Sequence, residues 1–144
     1  FSGSANWEAI AQIKQSLNIP VIANGDIRNS IDAVKCLEIT NADGVMIGRA
    51  SMGAPWLVGQ IDEEIKTQKT LISPDAKMKL SLILEHLKLL LIKKGNHGLF
   101  IARKHMNWTC RGFNGSSMLR NKLVRASTPD EAIKLLEEEL LKLN

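Results

Sequence analysis

The chain has no apolar run long enough to cross a membrane, no CxxC pair and no internal repeat. Its most apolar stretch, Leu80 to Ile92, is interrupted by Glu85, His86 and Lys88, whereas a membrane helix needs about 20 consecutive, predominantly apolar residues. There are only two cysteines, Cys36 and Cys110, 74 positions apart and without His-rich spacing nearby. That spacing offers neither a zinc site nor a disulfide framework, so both read as buried free thiols in a reducing compartment. The opening, Phe-Ser-Gly-Ser-Ala-Asn-Trp-Glu, has neither the basic start nor the apolar stretch of a signal peptide, and no initiator Met. The chain is therefore expected to be a piece of something longer.

Acid is also missing from one long stretch. Residues 1 to 74 hold six Lys and Arg against eight Asp and Glu, whereas residues 75 to 144 hold thirteen against seven. Between His86 and Pro129 there are nine cationic side chains and no carboxylate. The overall charge of +4 thus conceals a slightly acidic first half and a basic second half. The second half is expected either to meet a polyanion or to present a solvated lysine-rich face.

What is present divides in the same place. Trp7, Ile10, Ala11, Lys14 and Leu17 follow helical spacing. Ile19-Pro20-Val21-Ile22-Ala23 then reads as a short buried strand, cut off by Asn24-Gly25-Asp26. Ser30 is placed to cap a second helix, with Ile31, Val34, Cys36 and Leu37 apolar, and Gly44-Val45-Met46-Ile47 reads as a second strand running into Gly48-Arg49-Ala50. The order αβαβ predicts parallel strands in one sheet. A helix is expected from after Pro55 to about Lys66, then a linker over 67–73. The remainder reads as all helical. In Ser73-Pro74-Asp75, Ser73 is placed to cap a helix that has Pro74 at its first position and whose stripe is Leu80, Ile83, Leu84, Leu87, Leu90 and Leu91, ending at Gly95. Helices near 99–108 and 117–124 flank the turn Arg111-Gly112-Phe113-Asn114-Gly115, and Thr128-Pro129-Asp130-Glu131 has capping-box spacing ahead of the last helix. Two strands cannot form a sheet with two covered faces, and a closed parallel barrel needs eight such units. The αβαβ half, 1–70, therefore reads as the end of a larger α/β body, followed by an all-α part, 71–144.

Each strand ends in a glycine-containing loop, Asn24-Gly25-Asp26 and Gly48-Arg49, where a phosphate can approach backbone N–H groups closely. The loops after the last two strands of a parallel barrel commonly hold a phosphate, and Arg49 adds a charged, bidentate donor. His86 and His97 read as surface or helix-end residues. Trp7 and Trp56 read as packing residues, while Trp108 reads as core or as a base-stacking ring.

The segments Phe1-Ser2-Gly3-Ser4-Ala5-Asn6-Trp7, Ile19 to Ile27 and Asp43 to Ala50 followed by Pro55-Trp56, with Ala102-Arg103-Lys104-His105-Met106-Asn107-Trp108, resemble the C-terminal portion of tRNA dihydrouridine synthases of the bacterial type. The resemblance covers nearly the whole chain. It implies the last two βα units of a TIM (β/α)8 barrel plus a helical RNA-binding domain, from a cytoplasmic flavoprotein that uses FMN and NADPH to reduce uridine in tRNA. It also implies cofactor-binding roles for Asn24, Gly25, Asp26, Gly48 and Arg49. The basic candidates for RNA are Arg103, Lys104, Arg111, Arg120, Lys122 and Arg125. The family's general-acid cysteine and the lysine and histidine that contact flavin and substrate lie upstream of the matching segments, so no catalytic residue and no metal ligand is expected here. Exposed strand edges would favour self-association. Two further readings stand beside this one: another FMN- or sugar-phosphate-binding barrel enzyme, and a stand-alone RNA-binding module.

Overall fold

The computed structural model of the chain describes residues 3–143; Phe1 and Ser2, which open the N-terminal motif, lie outside them. It divides into two compact units, Phe1–Leu71 and Ile72–Asn144.

In the first unit α1 (Trp7–Ser16), β1 (Ile22–Asn24), α2 (Ser30–Thr40), β2 (Gly44–Met46), a 3-10 turn at Arg49–Ser51 and α3 (Leu57–Thr67) follow in order. The strands are parallel, pairing Ile22 with Gly44, Ala23 with Val45 and Asn24 with Met46. Asp43, one residue before the ladder, accepts from the Val21 N–H and from Lys14 Nζ, both at 2.7 Å. The Lys14 contact, then the Val21 bond, hold its carboxyl below the ordinary value. Ala23, Ile27, Ala33, Cys36 and Ile61 form the buried centre, with Trp7, Ile10, Val45 and Leu57 against it.

Three expectations fail here, each for a local reason. The ladder spans Ile22–Asn24 rather than 19–23, with Ile19 63% and Ile22 58% exposed. Side chains alternate along a strand, and the buried Ala23 takes the covered face. In α2 the buried positions are Ala33, Cys36 and Thr40, while Ile31 is 76% exposed; compact side chains, not the bulky Ile31, fit beneath the helix. Its cap is Asn29 rather than Ser30. The Asn29 Oδ1 accepts the Asp32 N–H at 2.8 Å and the Asp32 carboxylate accepts the Arg28 N–H at 3.0 Å, a reciprocal pair that Ser30, already helical, does not make.

In the second unit α4 (Ala76–Lys94), α5 (His97–Thr109), α6 (Ser116–Arg125) and α7 (Pro129–Lys142) enclose one core. Leu80, Ile83 and Leu87 of α4 meet Leu99, Ala102 and Met106 of α5, Leu119 and Leu123 of α6, and Ala132 and Leu136 of α7. Asp75, not Ser73, caps α4 by accepting the Met78 N–H at 2.8 Å; Pro74 therefore precedes the helix instead of opening it. At α7 the capping residues behave as their spacing predicts. Thr128 accepts the Glu131 N–H at 3.2 Å and Glu131 reaches back to the Ser127 N–H at 2.8 Å. Close approach of α4 and α5 depends on Gly98, where a Cβ would lie 2.6 Å from the Leu90 carbonyl oxygen.

Candidate functional site

Parallel strands deliver their carboxyl ends to the same side, so the loops after β1 and β2 meet. Asn24, Gly25, Asp26, Ile27, Arg28, Gly48, Arg49 and Ala50 line one open cleft of about 600 Å³. Gly25 has φ +128° and leaves no room for a side chain, since a Cβ there would fall 2.4 Å from the Ala5 Cβ. Its carbonyl accepts the Trp7 indole N–H at 3.0 Å, and Asp26 Oδ2 accepts the Ala5 N–H at 2.7 Å. Trp7 is thus both a packing residue and a strut under the loop. On the other side Ser51 donates its N–H and its hydroxyl to the Gly48 carbonyl, at 3.0 and 2.8 Å, fixing the turn that carries Arg49. The Arg49 guanidinium lies 3.3 Å from Asp26 Oδ1 and that of Arg28 lies 3.9 Å from the same oxygen, with both arginine side chains largely exposed. Arg28 is absent from the glycine-loop motif; its position two residues after Asp26 in the same loop was the available signal. The cleft combines a close backbone approach with two cations and one carboxylate, a composition suited to an anion.

The six basic candidates of the second unit separate into two kinds. Lys104, Arg111, Lys122 and Arg125 are exposed. Arg103 and Arg120 are partly buried, and their guanidiniums donate to the carbonyls of Ala126 and Cys110 at 2.7 Å each. Those two carbonyls belong to the residues that close α6 and α5, so each arginine satisfies a helix end that would otherwise lack a donor. Arg103 also lies 4.8 Å above the Phe100 ring. Around Lys104 the rings of His86, His105 and Trp108 stand edge to face, with centroids 4.8 and 5.6 Å apart, and the Lys104 ammonium lies 5.7 Å from the Trp108 ring. Burial, then the neighbouring His86 and Lys104, push the His105 pKa below its ordinary value. His97 is exposed at the start of α5.

Both cysteines are buried and free. Burial raises the pKa of each, that of Cys110 to about 12 despite the opposing charge of Arg120, so neither is a poised nucleophile. Among the described residues no group of three or more His, Cys, Asp or Glu could hold a metal ion, and no helix is long and apolar enough to cross a membrane.

Fold and site together define an α/β segment with an open, arginine-flanked cleft at its strand ends, followed by a four-helix unit of net positive charge. The chain belongs to the dihydrouridine synthase family, whose model matches residues 1–144. It is 45% identical over 140 residues to a "Probable tRNA-dihydrouridine synthase 1" of Synechocystis sp., covering 97% of this chain and 39% of that protein. To a "Probable tRNA-dihydrouridine synthase" of Rickettsia bellii it is 42% identical over 130 residues, 90% of this chain and 40% of the relative. To the "tRNA-dihydrouridine synthase B" of Xanthomonas axonopodis pv. citri it is 40% identical over 139 residues, 96% and 42% of the two chains. The chain thus spans about two fifths of the length of these curated bacterial relatives.

Proposed function

We propose that this chain is the C-terminal part of a cytoplasmic, FMN-dependent tRNA dihydrouridine synthase, in which its first unit supplies the last two βα units of a (β/α)8 barrel and the phosphate end of the flavin site. One observation carries the reading. In a chain that matches the family along its whole length, the two strand-end loops converge on one cleft holding Gly25, Gly48 and Arg49. The residues fit a phosphate: Gly25 leaves space where a Cβ would clash, and two guanidiniums reach the cleft. Asn24, Gly25, Gly48 and Arg49 would hold the FMN phosphate. When bound, the flavin supplies the hydride chemistry, with NADPH as reductant and a tRNA uridine as acceptor. This chain's own part is to anchor and orient. Its segments contain no counterpart of the family's catalytic cysteine, and the isolated chain is inactive.

The second unit is the RNA-binding part. Lys104, Arg111, Lys122 and Arg125 contact phosphates directly, while Arg103 and Arg120 hold the helices that present them. Contacts of this kind follow the shape of a folded RNA instead of reading its bases, and their affinity falls with salt as counterions are released.

Two measurements test the reading. The purified chain is expected to be colourless and to form no dihydrouridine with NADPH and tRNA; stoichiometric yellow flavin or turnover would refute it. Near 150 mM salt, anisotropy titrations should show tighter binding of folded tRNA than of a single-stranded oligonucleotide of equal length. Removal of Lys104 should lower the slope of log K against log salt by about 0.7 to 1. Equal binding of both nucleic acids, unchanged by Lys104→Ala, would leave the cationic unit as a solvated surface.

A further inference from the structure

Asp26 poses a problem for any anion bound in the cleft, because a carboxylate repels a phosphate. Its two oxygens are occupied differently. Oδ2 takes the Ala5 N–H at 2.7 Å, a bond that ties the segment before α1 to the β1 loop. Oδ1 faces Arg49 Nη2 at 3.3 Å and Arg28 Nη2 at 3.9 Å. The carboxylate itself is 24% exposed, whereas the two arginine side chains are 70% and 75% exposed. A partly buried, backbone-anchored acceptor therefore stands behind two solvent-facing guanidiniums that come from different loops. Such exposed pairs add little to fold stability, so their value lies in where they place the cations. Two guanidiniums against one carboxylate leave a net positive charge in the cleft.

We infer that Asp26 is a positioning residue that aims the guanidiniums of Arg49 and Arg28 at one anion, and that Arg28 is the second cation of that site. This rests on reading the cleft as a flavin-phosphate site. Arg28 is held in place from its own backbone as well, since its N–H donates to the Asp32 carboxylate at 3.0 Å, which fixes the turn between the β1 loop and α2. A ligand phosphate entering between the loops accepts from both guanidiniums while Asp26 keeps them convergent; without it, two long and solvated side chains are free to point into water. Positioning and neutralisation make opposite predictions. If Asp26 merely cancels charge, its removal strengthens anion binding. If it aims the cations, removal weakens binding although a repulsive charge has gone.

The test uses the intact chain, labelled with 15N, titrated with FMN and, as the probe lacking a phosphate, with riboflavin; the Gly25 and Gly48 amide shifts report occupancy. The parent should prefer FMN. Arg28→Gln should lower that preference about 3- to 10-fold, the effect of losing one charged hydrogen bond at an exposed site. Arg28→Lys should recover only part of it, because an ammonium lacks the planar fork. Asp26→Asn retains an oxygen for the Ala5 N–H and should also lower the preference, with melting temperatures of all variants within about 2 °C of the parent. A preference raised or unchanged in Asp26→Asn overturns the positioning role, and one unchanged in Arg28→Gln overturns the second cation. Should Asp26→Asn fail to fold, Asp26→Glu, which keeps the charge but displaces the carboxylate by one methylene, takes its place: a lowered preference supports the positioning role and a preference raised or unchanged overturns it. A parent that binds FMN no better than riboflavin removes the phosphate-site reading itself, an outcome distinct from the other two.

Discussion

Substitution of Gly25 by alanine probes the cleft loop through two separable costs. The first is conformational: at φ +128° an L-residue occupies a sparsely populated backbone region, at roughly 1–3 kcal/mol. The second is steric. The new Cβ would fall 2.4 Å from the Ala5 Cβ, and the segment carrying Ala5 cannot retreat without stretching the Ala5 N–H bond to Asp26 and the Trp7 indole bond to the Gly25 carbonyl. Overpacking of this kind costs about 1–3 kcal/mol. A double-mutant cycle with Ala5→Gly separates them, because once the Ala5 Cβ is gone the next atom is the Ala5 Cα at 3.8 Å, an ordinary contact. Gly25→Ala alone should therefore destabilise the first unit by about 2–6 kcal/mol, and Ala5→Gly should return about 1–3 kcal/mol of that as coupling. Hydrogen exchange at the Ala23 and Val45 amides reports on this unit without interference from the helical one. Costs that add to within about 0.5 kcal/mol would show that Ala5 does not lie over Gly25, and would remove the steric reason for glycine in the loop, leaving only the conformational one.

Other outcomes follow from particular contacts. Gly98→Ala should destabilise the helical unit by about 1–3 kcal/mol because the Cβ meets backbone atoms of Leu90 and Leu91 within 3 Å, whereas Gly59→Ala in α3, with nothing within 4 Å, should stabilise by up to about 1 kcal/mol; chemical denaturation of each variant checks both signs. Burial pushes Cys110 up to about 12 from an ordinary 9.0, so the native state holds its proton where the unfolded chain has released it. Stability should then be complete below pH 9 and decline between pH 9 and 12, by up to about 4 kcal/mol, with a shallower decline in Cys110→Ala. Arg103→Met should destabilise by about 1–3 kcal/mol through the abandoned Ala126 carbonyl, while Lys104→Ala should stay within about 0.5 kcal/mol; thermal melts of the two distinguish a helix-end role from a surface one.

How far the sequence carried depended on the kind of signal. The alternation of helix and strand, the parallel pairing and the leucine stripe of α4 were legible because hydrophobic period and chain order decide them. Strand-end loops meeting on one side follow from parallel pairing alone. Which face of α2 turns inward was not legible: Ile31 and Val34 look like core, yet the space beneath the helix admits Ala33 and Cys36. Cap positions slipped by one or two residues, from Ser30 to Asn29 and from Ser73 to Asp75, since several neighbouring side chains can accept the same N–H and only geometry selects one. The division of the cationic side chains was equally hidden. Arg103 and Lys104 are adjacent and alike in charge, and nothing short of the packing of α5 against α6 reveals that one closes a helix end.

The bond network around Asp43 has a consequence for strand alignment. A ladder of three residue pairs offers little to distinguish its own register from one displaced by two residues, which would leave the same side chains facing the same way. Asp43 breaks that degeneracy, because its carboxylate accepts the Val21 N–H while its own N–H donates to the Val21 carbonyl at 2.9 Å. A displaced strand would lose both bonds and the Lys14 contact together. Which residues of the two loops stand opposite one another across the cleft is thus decided at the other end of the strands, by a single side chain that never enters the cleft.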